Sequence, residues 1–226
     1  MINQDNLLNI KSELGEAVKL IAVSKRQPDE KVASILELGH NILGENYVQA
    51  LCDRYEKFKE HPIEWHMIGH LQSNKVKYIA PFIDLIHAVD SFSLLQTIHK
   101  EGLKNNRVIN CLLQVHIAEE DSKFGFDESE IEELLGNPLI ADCPHARIIG
   151  LMGMATFTPD ENQVRDEFNY LKAVFDKLKA QFFKGQAEFK ELSMGMSDDY
   201  KIAIEEGSTM VRIGTSIFGE RISNSY

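Results

Sequence analysis

Cysteine is scarce in this sequence, and the three cysteines lie far apart. Cys52, Cys111 and Cys143 form no CxxC pair, so neither the ligand spacing of a zinc site nor a disulfide framework is present. We expect reduced, buried thiols. His66 and His70 have a spacing that could bind a metal on a helix, but "EWHMIGH" reads as a strand running into a loop and has no HExxH glutamate. We therefore expect no metal site.

Excess positive charge and long apolar runs are missing as well. The 24 basic and 35 acidic side chains give a formal net charge of −11, which argues against a broad surface for nucleic acid or anionic lipid. No window approaches the ~18 consecutive apolar residues of a membrane span, and the N-terminus has no basic start followed by an apolar core. We expect a cytoplasmic protein that binds neither nucleic acid nor membrane.

Linkers, low-complexity segments and close repeats are also absent. The chain has 226 residues, of which 43% are hydrophobic, and this is enough to bury a sizeable core. We therefore expect one domain that spans residues 1–226.

Short runs rich in Val, Ile and Leu alternate with longer amphipathic segments, which is typical of βα units around a parallel sheet. The predicted strands are 19–25, 41–46, 64–69, 85–90, 110–118, 146–155, 188–194 and 209–214. Predicted helices include 29–38, 163–183 and an extra helix at 4–18, ahead of the first strand. Eight such units fit a (β/α)8 TIM barrel, whose usual length is about 250 residues. An open doubly wound sheet is the alternative, because periodicity does not show whether a sheet closes.

Lys25 stands where the first predicted strand ends, in "LIAVSKRQP". In a barrel the loops after the strands form the active face, so a polar residue at this position is a candidate for chemistry. The ordinary interpretation is a solvated lysine at the point where the strand meets water. The other is an amine with a chemical role.

The turns after the seventh and eighth predicted strands contain glycines and hydroxyls together: Ser193, Gly195, Ser197, Gly214 and Thr215. Glycines let a backbone approach an anion closely, and barrels frequently bind a phosphate after these two strands. The alternative is a pair of ordinary tight turns with Ser197 or Asp198 as a helix cap. The charges of Asp198 and Asp199 oppose an anion, so backbone N–H groups would have to hold it.

Arg212 lies inside the apolar segment "TMVRIGT", and alternation places it on the same face as Met210 and Gly214. A buried guanidinium keeps its proton and needs acceptors. A structural salt bridge and a ligand contact both satisfy that need. If the acceptor were the ring nitrogen of a cofactor, Arg212 would keep that nitrogen unprotonated and make the ring a weaker electron sink.

Several strings of this sequence together resemble the pyridoxal phosphate homeostasis protein family. They are "AVSK" at 22–25, "LGENYVQ" at 43–49, "WHMIGHLQSNK" at 65–75, "GLMGMAT" at 150–156, "LSMGMSDDY" at 192–200 and "GSTMVRIGTSIFGER" at 207–221. The match runs through nearly the whole chain, and the strings in this order are far more specific than any one of them. Ala50 departs from the acidic residue that the family often has, at a position on the following helix.

The resemblance implies a fold-type III barrel of the alanine racemase N-terminal domain kind, which holds pyridoxal 5′-phosphate (PLP) as an internal aldimine. Lys25 matches the lysine that forms the Schiff base. Arg212 matches the arginine near the pyridine nitrogen, Asn46 an asparagine near the ring, and His66 a histidine with a less defined role. The residues that match the phosphate-binding stretches are Ser193, Gly195, Met196, Ser197, Gly214 and Thr215.

The resemblance implies a PLP-binding protein that acts in intracellular PLP (vitamin B6) and amino acid homeostasis without robust turnover, with PLP-dependent apoenzymes as possible recipients. The alternative is a weak amino acid racemase in which Lys25 acts as a base. Racemisation needs proton donors on both faces of a planar carbanion, and only Lys25 stands out. Alanine racemases have a second, β-rich domain that lends an opposing tyrosine, and 226 residues leave no room for one. We therefore expect a carrier rather than an enzyme, and a monomer.

Overall fold

The computed structural model describes residues 2–119 and 124–219. Eight parallel strands follow one another in chain order around a closed barrel. They are β1 (Lys19–Val23), β2 (Ile42–Glu45), β3 (Glu64–Met67), β4 (Leu85–Val89), β5 (Ile109–Gln114), β6 (Ala146–Met152), β7 (Glu191–Ser193) and β8 (Met210–Ile213). Pairing of Lys19 with Met210 and of Ala22 with Ile213 joins β1 to β8. The predicted (β/α)8 TIM barrel is confirmed, and the open doubly wound sheet is excluded.

Helices surround this barrel and separate its strands. They are α1 (Gln4–Leu14), α2 (Asp29–Glu37), α3 (Val48–Phe58), α4 (Val76–Ile79), α5 (Phe92–Lys104), α6 (Glu128–Gly136), α7 (Glu161–Gln181), α8 (Tyr200–Glu205) and α9 (Thr215–Phe218). Two short 3-10 helices are formed by Ser73–Lys75 and Pro138–Ile140. In the described part of the chain, no helix combines the length and the hydropathy needed to cross a membrane.

The element boundaries differ from the predicted ones by a few residues. The first strand stops at Val23, because the chain turns back just after Ser24, where the N–H of Gln27 donates to the carbonyl oxygen of Ser24. The extra N-terminal helix is present but ends at Leu14, since Gly15 adopts a φ of 60°. The helix predicted near Asp198 begins at Tyr200.

Apolar side chains pack in two layers, one outside and one inside the barrel. The outer layer lies between strands and helices and includes the predicted buried face of α7: Val164, Phe168, Leu171, Val174, Phe175 and Leu178. The inner layer is smaller and includes Ile21, Val23, Ile68, Leu112, Met152 and Met210. Polar side chains also lie in the interior, among them His66, His87, Ser193 and Arg212.

Helix α1 is joined to both of the short helices that follow β7 and β8. The side-chain amide of Asn6 donates to the carbonyl oxygen of Ser216 in α9 at 3.0 Å, and the N–H of Asn3 donates to Ile217 at 2.8 Å. The hydroxyl of Tyr200, the first residue of α8, donates to Oε2 of Glu13 at 2.6 Å. The extra helix therefore holds the elements that follow the two glycine-containing turns.

Candidate functional site

Lys25 lies just beyond the carboxyl end of β1, on a tight turn at the mouth of the barrel. The N–H of Ser24 still donates to the carbonyl oxygen of Gly44 in β2. Arg26, the residue after Lys25, adopts a φ of 57°. This value is uncommon for a residue with a side chain and indicates a constrained turn. The ladder and the turn together fix the position of the Lys25 backbone, and its side chain is half-buried.

A buried ion pair stands behind this turn, and sequence analysis did not predict it. Oε1 of Glu45 accepts from the hydroxyl of Ser24 at 2.7 Å and pairs with Nε of Arg54 at 3.1 Å. Arg54 also donates to the carbonyl oxygen of Gln27. Burial raises the pKa of Glu45, an effect that Arg54, Ser24 and Lys25 oppose. The pair connects α3 to the segment on both sides of Lys25.

Asn46 follows β2 at the same edge of the barrel. Its Oδ1 is buried and has no hydrogen-bond partner within residues 2–119 and 124–219. The backbone of Gly69 passes so close that a Cβ there would lie 2.5 Å from the carbonyl oxygen of Asn46, so only glycine fits. Since buried polar groups normally have partners, the amide of Asn46 is suited to bind a polar group of a ligand. A cleft of about 870 Å³ opens beside Asn46 and Gly69.

Arg212 projects from β8 into the barrel interior, as the alternation of the strand predicts. Its Nη1 donates to the carbonyl oxygen and to Oγ of Ser193 at 2.9 and 2.6 Å, and its Nη2 donates to the carbonyl oxygen of Gly153 at 3.0 Å. Burial lowers the pKa of Arg212 to about 10, and Asp199 partly opposes this, so the guanidinium is charged at neutral pH. Its described acceptors are neutral oxygens, not the carboxylate of a structural salt bridge.

The two glycine-containing turns lie side by side, because β7 and β8 are neighbours. Gly195 has a φ of 96°, and a Cβ there would lie 2.6 Å from that of Ala203 in α8. Gly214 comes directly before α9, whose first N–H groups have no partner within a helix. Met196 and Thr215 are exposed, and Ser197 is half-buried. The turns thus present backbone and hydroxyl groups at the mouth.

Asp199 competes for one of these backbone donors. Its Oδ1 accepts from the N–H of Met196 at 2.5 Å. Burial raises the pKa of Asp199, while the contact with Met196 and the charge of Arg212 oppose the shift. An anion bound at this turn would therefore rely on donors other than the N–H of Met196, consistent with the opposing charges noted in the sequence.

The two histidines of "EWHMIGH" lie in different environments. His66 is fully buried inside the barrel, with Nδ1 2.9 Å from Nε2 of His87 and Nε2 2.9 Å from Oε1 of Glu64. His70 is near the mouth, where it stacks on Phe124 and lies 3.1 Å from Oδ2 of Asp90. Both ring nitrogens of His66 are thus engaged by protein groups, and its direct contact with a cofactor stays a prediction.

Sequence reasoning missed His87, which is fully buried in β4 and lies 3.0 Å from Oγ of Ser193 through Nδ1. In "LIHAV" a single histidine within a strand gives no sign of its partners, because Ser193 is 106 residues away in the chain. Glu45 and Arg54 were missed for the same reason. The only available signal was their position on faces that the periodicity assigns to the interior.

A family model described as alanine racemase, N-terminal domain, matches residues 3–222. Several similar curated proteins have the name pyridoxal phosphate homeostasis protein. That of Aquifex aeolicus is 38% identical over 203 residues, which cover 90% of this chain and 87% of the relative. That of Vibrio alginolyticus is 40% identical over 213 residues, which cover 91% of this chain and 88% of the relative. That of Escherichia coli K12 is 36% identical over 209 residues, which cover 91% of this chain and 87% of the relative.

Solved structures agree in fold. PipY of Synechococcus elongatus PCC7942, with PLP bound, has a TM-score of 0.87 and 31% identity, covering 95% of this chain and 99% of PipY. Alanine racemase of Clostridium difficile 630 has a TM-score of 0.74 and 18% identity, covering 98% of this chain and 60% of the racemase. At that identity the second likeness shows the fold alone.

Proposed function

The chain belongs to the alanine racemase N-terminal domain family and, within it, to the pyridoxal phosphate homeostasis proteins, and from this membership we propose that it binds PLP through Lys25 and acts in PLP homeostasis. One observation supports this most. Lys25 and Asn46 follow β1 and β2, Arg212 lies within β8, and the glycine-containing turns follow β7 and β8. These four strands are contiguous in the closed barrel. This arrangement supports an amine, a ring contact and a phosphate-binding turn at one edge of the barrel.

The residues at this edge fit the chemical groups of PLP. The amine of Lys25 would bind the aldehyde carbon covalently. The side-chain amide of Asn46, whose Oδ1 has no partner in the described residues, would bind a polar substituent of the ring. The guanidinium of Arg212 has five N–H groups, and three of them donate to Ser193 and Gly153 as described above. The other two would be available to a ring nitrogen. When bound, PLP supplies a reactive aldehyde and an electron-withdrawing ring.

The phosphate would lie between the turns after β7 and β8. Ser193, Gly195, Met196, Ser197, Gly214 and Thr215 are the proposed contacts, and they differ in what they supply. Ser197 and Thr215 offer hydroxyl donors at the mouth. Gly195 allows the backbone conformation of the first turn, while Ser193 acts from inside the barrel, where its Oγ already contacts Arg212. Met196 offers backbone only.

The phosphate assignment predicts a selective loss of affinity. Ser197→Ala and Thr215→Ala should each weaken PLP binding by about tenfold or more, because a hydrogen bond to a charged group is worth roughly 1.5–3 kcal/mol. Pyridoxal, which lacks the phosphate, should bind both variants as it binds the unaltered protein. Equilibrium dialysis with the two ligands measures this difference. Equal losses for PLP and pyridoxal would contradict the assignment, since they would indicate a general disturbance of the site.

We propose that the protein carries PLP rather than turning over a substrate with it. The relatives are named for homeostasis, and a guanidinium near the ring nitrogen disfavours protonation of the ring and so weakens it as an electron sink. The proposal includes a cytoplasmic location, a monomeric state and delivery to apoenzymes that use PLP.

Incubation of the PLP-loaded protein with L-amino acids in D₂O tests the carrier proposal. We expect exchange of the α-proton no faster than with free PLP and a matched lysine peptide. Mass spectrometry measures deuterium incorporation, and chiral chromatography measures inversion. Exchange with inversion at about 1 s⁻¹ or faster, a rate in the range of ordinary enzymes, would replace the carrier by a racemase.

A further inference from the structure

A line of buried polar side chains crosses the barrel interior from the site to the opposite face. Oγ of Ser193 lies 2.6 Å from Nη1 of Arg212 and 3.0 Å from Nδ1 of His87. Nε2 of His87 lies 2.9 Å from Nδ1 of His66, and Nε2 of His66 lies 2.9 Å from Oε1 of Glu64. Glu64 is the first residue of β3, so the line ends at the amino-terminal face, where the side chain of Glu64 is 37% exposed.

With both imidazoles neutral, the groups at the two ends set one direction for the hydrogen bonds in this line. Arg212 has only donors, so Oγ of Ser193 must accept from it. A hydrogen bond from His66 lowers the pKa of Glu64, so at neutral pH Glu64 is a carboxylate and must accept from His66. A neutral imidazole has one donor and one acceptor nitrogen. With a neutral ring, His66 would therefore carry its proton on Nε2, and its Nδ1 would accept from His87.

The same reasoning sets the state of His87. Burial holds the pKa of His87 well below its usual value, and the charges of Arg212 and Lys19 act in the same direction. The ring is thus neutral, with its proton on Nε2 facing His66. Its Nδ1 is then an acceptor for the hydroxyl proton of Ser193. The hydroxyl is directed away from Arg212, and its lone pairs face the guanidinium.

We propose that His66 and His87 are positioning residues, which hold the Ser193 hydroxyl as an acceptor and thereby keep Arg212 aimed at the ring nitrogen of the cofactor. The proposal rests on the function proposed above. Arg212 has no carboxylate in hydrogen-bond contact among its described partners, so its orientation depends on Ser193 and on the carbonyl oxygen of Gly153. His66 therefore acts on the ligand through His87 and Ser193 rather than by contact.

The tautomers can be measured without any cofactor. In protein labelled with ¹⁵N-histidine, long-range ¹H–¹⁵N spectra at neutral pH should show the Nε2–H tautomer for both His66 and His87. Glu64→Gln keeps an acceptor oxygen and should preserve both tautomers, whereas Glu64→Lys presents only donors and should move the proton of His66 to Nδ1. Because Glu64 is partly exposed, both variants should fold. An Nδ1–H tautomer of His87 in the unaltered protein would overturn the proposal.

The effect on the ligand is measured with PLP labelled with ¹⁵N at the ring nitrogen. His87→Phe should leave Lys25 bound to PLP but move the ring-nitrogen resonance toward that in Arg212→Leu, with about tenfold weaker PLP binding. If Arg212→Leu moves the resonance and His87→Phe and Glu64→Lys do not, the positioning role is wrong. If Arg212→Leu itself leaves the resonance unchanged, the ring contact in the proposed function fails instead.

Discussion

Lys25→Ala is expected to abolish covalent retention of PLP. The amine of Lys25 is the group that we propose to bond to the aldehyde, and alanine removes it without touching the β1 ladder. The backbone on both sides is held by Ser24 and Gln27, so the barrel should fold unchanged. After gel filtration, visible absorption of the bound cofactor should fall by more than tenfold. Residual PLP held by the phosphate turns alone should exchange freely.

Lys77→Ala is the matched control, because Lys77 is an exposed lysine on α4. This variant should retain PLP as the unaltered protein does. Treatment with borohydride followed by peptide mass spectrometry should locate the adduct on Lys25 in the unaltered protein and in the control. An adduct of equal yield on another lysine of Lys25→Ala would contradict the assignment of Lys25.

Arg54→Met should destabilise the cofactor-free protein by about 3–5 kcal/mol, the usual cost of leaving one partner of a buried ion pair uncompensated. The side chain of Glu45 is fully buried and that of Arg54 is 9% exposed, so water cannot replace the missing guanidinium. Because Oε1 of Glu45 also accepts from Ser24, the turn that holds Lys25 should loosen as well. Urea unfolding of the two proteins measures the difference in the free energy of unfolding.

The decrease in the free energy of unfolding caused by Arg54→Met should depend on pH in a defined direction. Burial raises the pKa of Glu45 above its unfolded value, so the folded state binds this proton more tightly, and stability decreases as the pH rises through the folded pKa. Removing Arg54, which opposes the shift, enlarges this effect. The destabilisation should therefore be smaller at pH 5 than at pH 7.5.

A double variant, Glu45→Met with Arg54→Met, separates charge from packing. It should recover part of the stability that Arg54→Met loses, because no unpaired charge remains inside. A double variant less stable than the single one at pH 7.5, or a loss that grows as the pH falls, would contradict the role given to the buried charge of Glu45.

The fold was predictable because its signal is local. Each strand is a short apolar run, and helix α7 repeats its buried residues at helical spacing from Val164 to Leu178, so the alternation indicates βα units around a parallel sheet. The boundaries were less predictable, since they depend on single conformations such as that of Gly15. Closure itself depends on contacts between β1 and β8, which no local pattern encodes.

Some residues of the candidate site were also visible in the sequence, and others were not. Lys25 and Arg212 stood out as candidates because Lys25 is a charged residue where an apolar strand ends and Arg212 is a charged residue inside an apolar strand. His87 and Arg54 did not, because their roles depend on partners distant in sequence: Ser193 for His87, and Glu45 for Arg54. A buried histidine or a helix arginine looks the same in sequence whether or not it has such a partner.

Helix α1 has a consequence for the order in which the molecule is completed. The contacts of Asn6 with Ser216 and of Tyr200 with Glu13 join residues 210 and 187 positions apart. During synthesis the helix emerges well before its partners in α8 and α9, so these long-range contacts form only after both of those helices have been made. The turns after β7 and β8 would then become rigid only when these contacts to α1 form, so the proposed phosphate site depends on a helix that precedes the first strand.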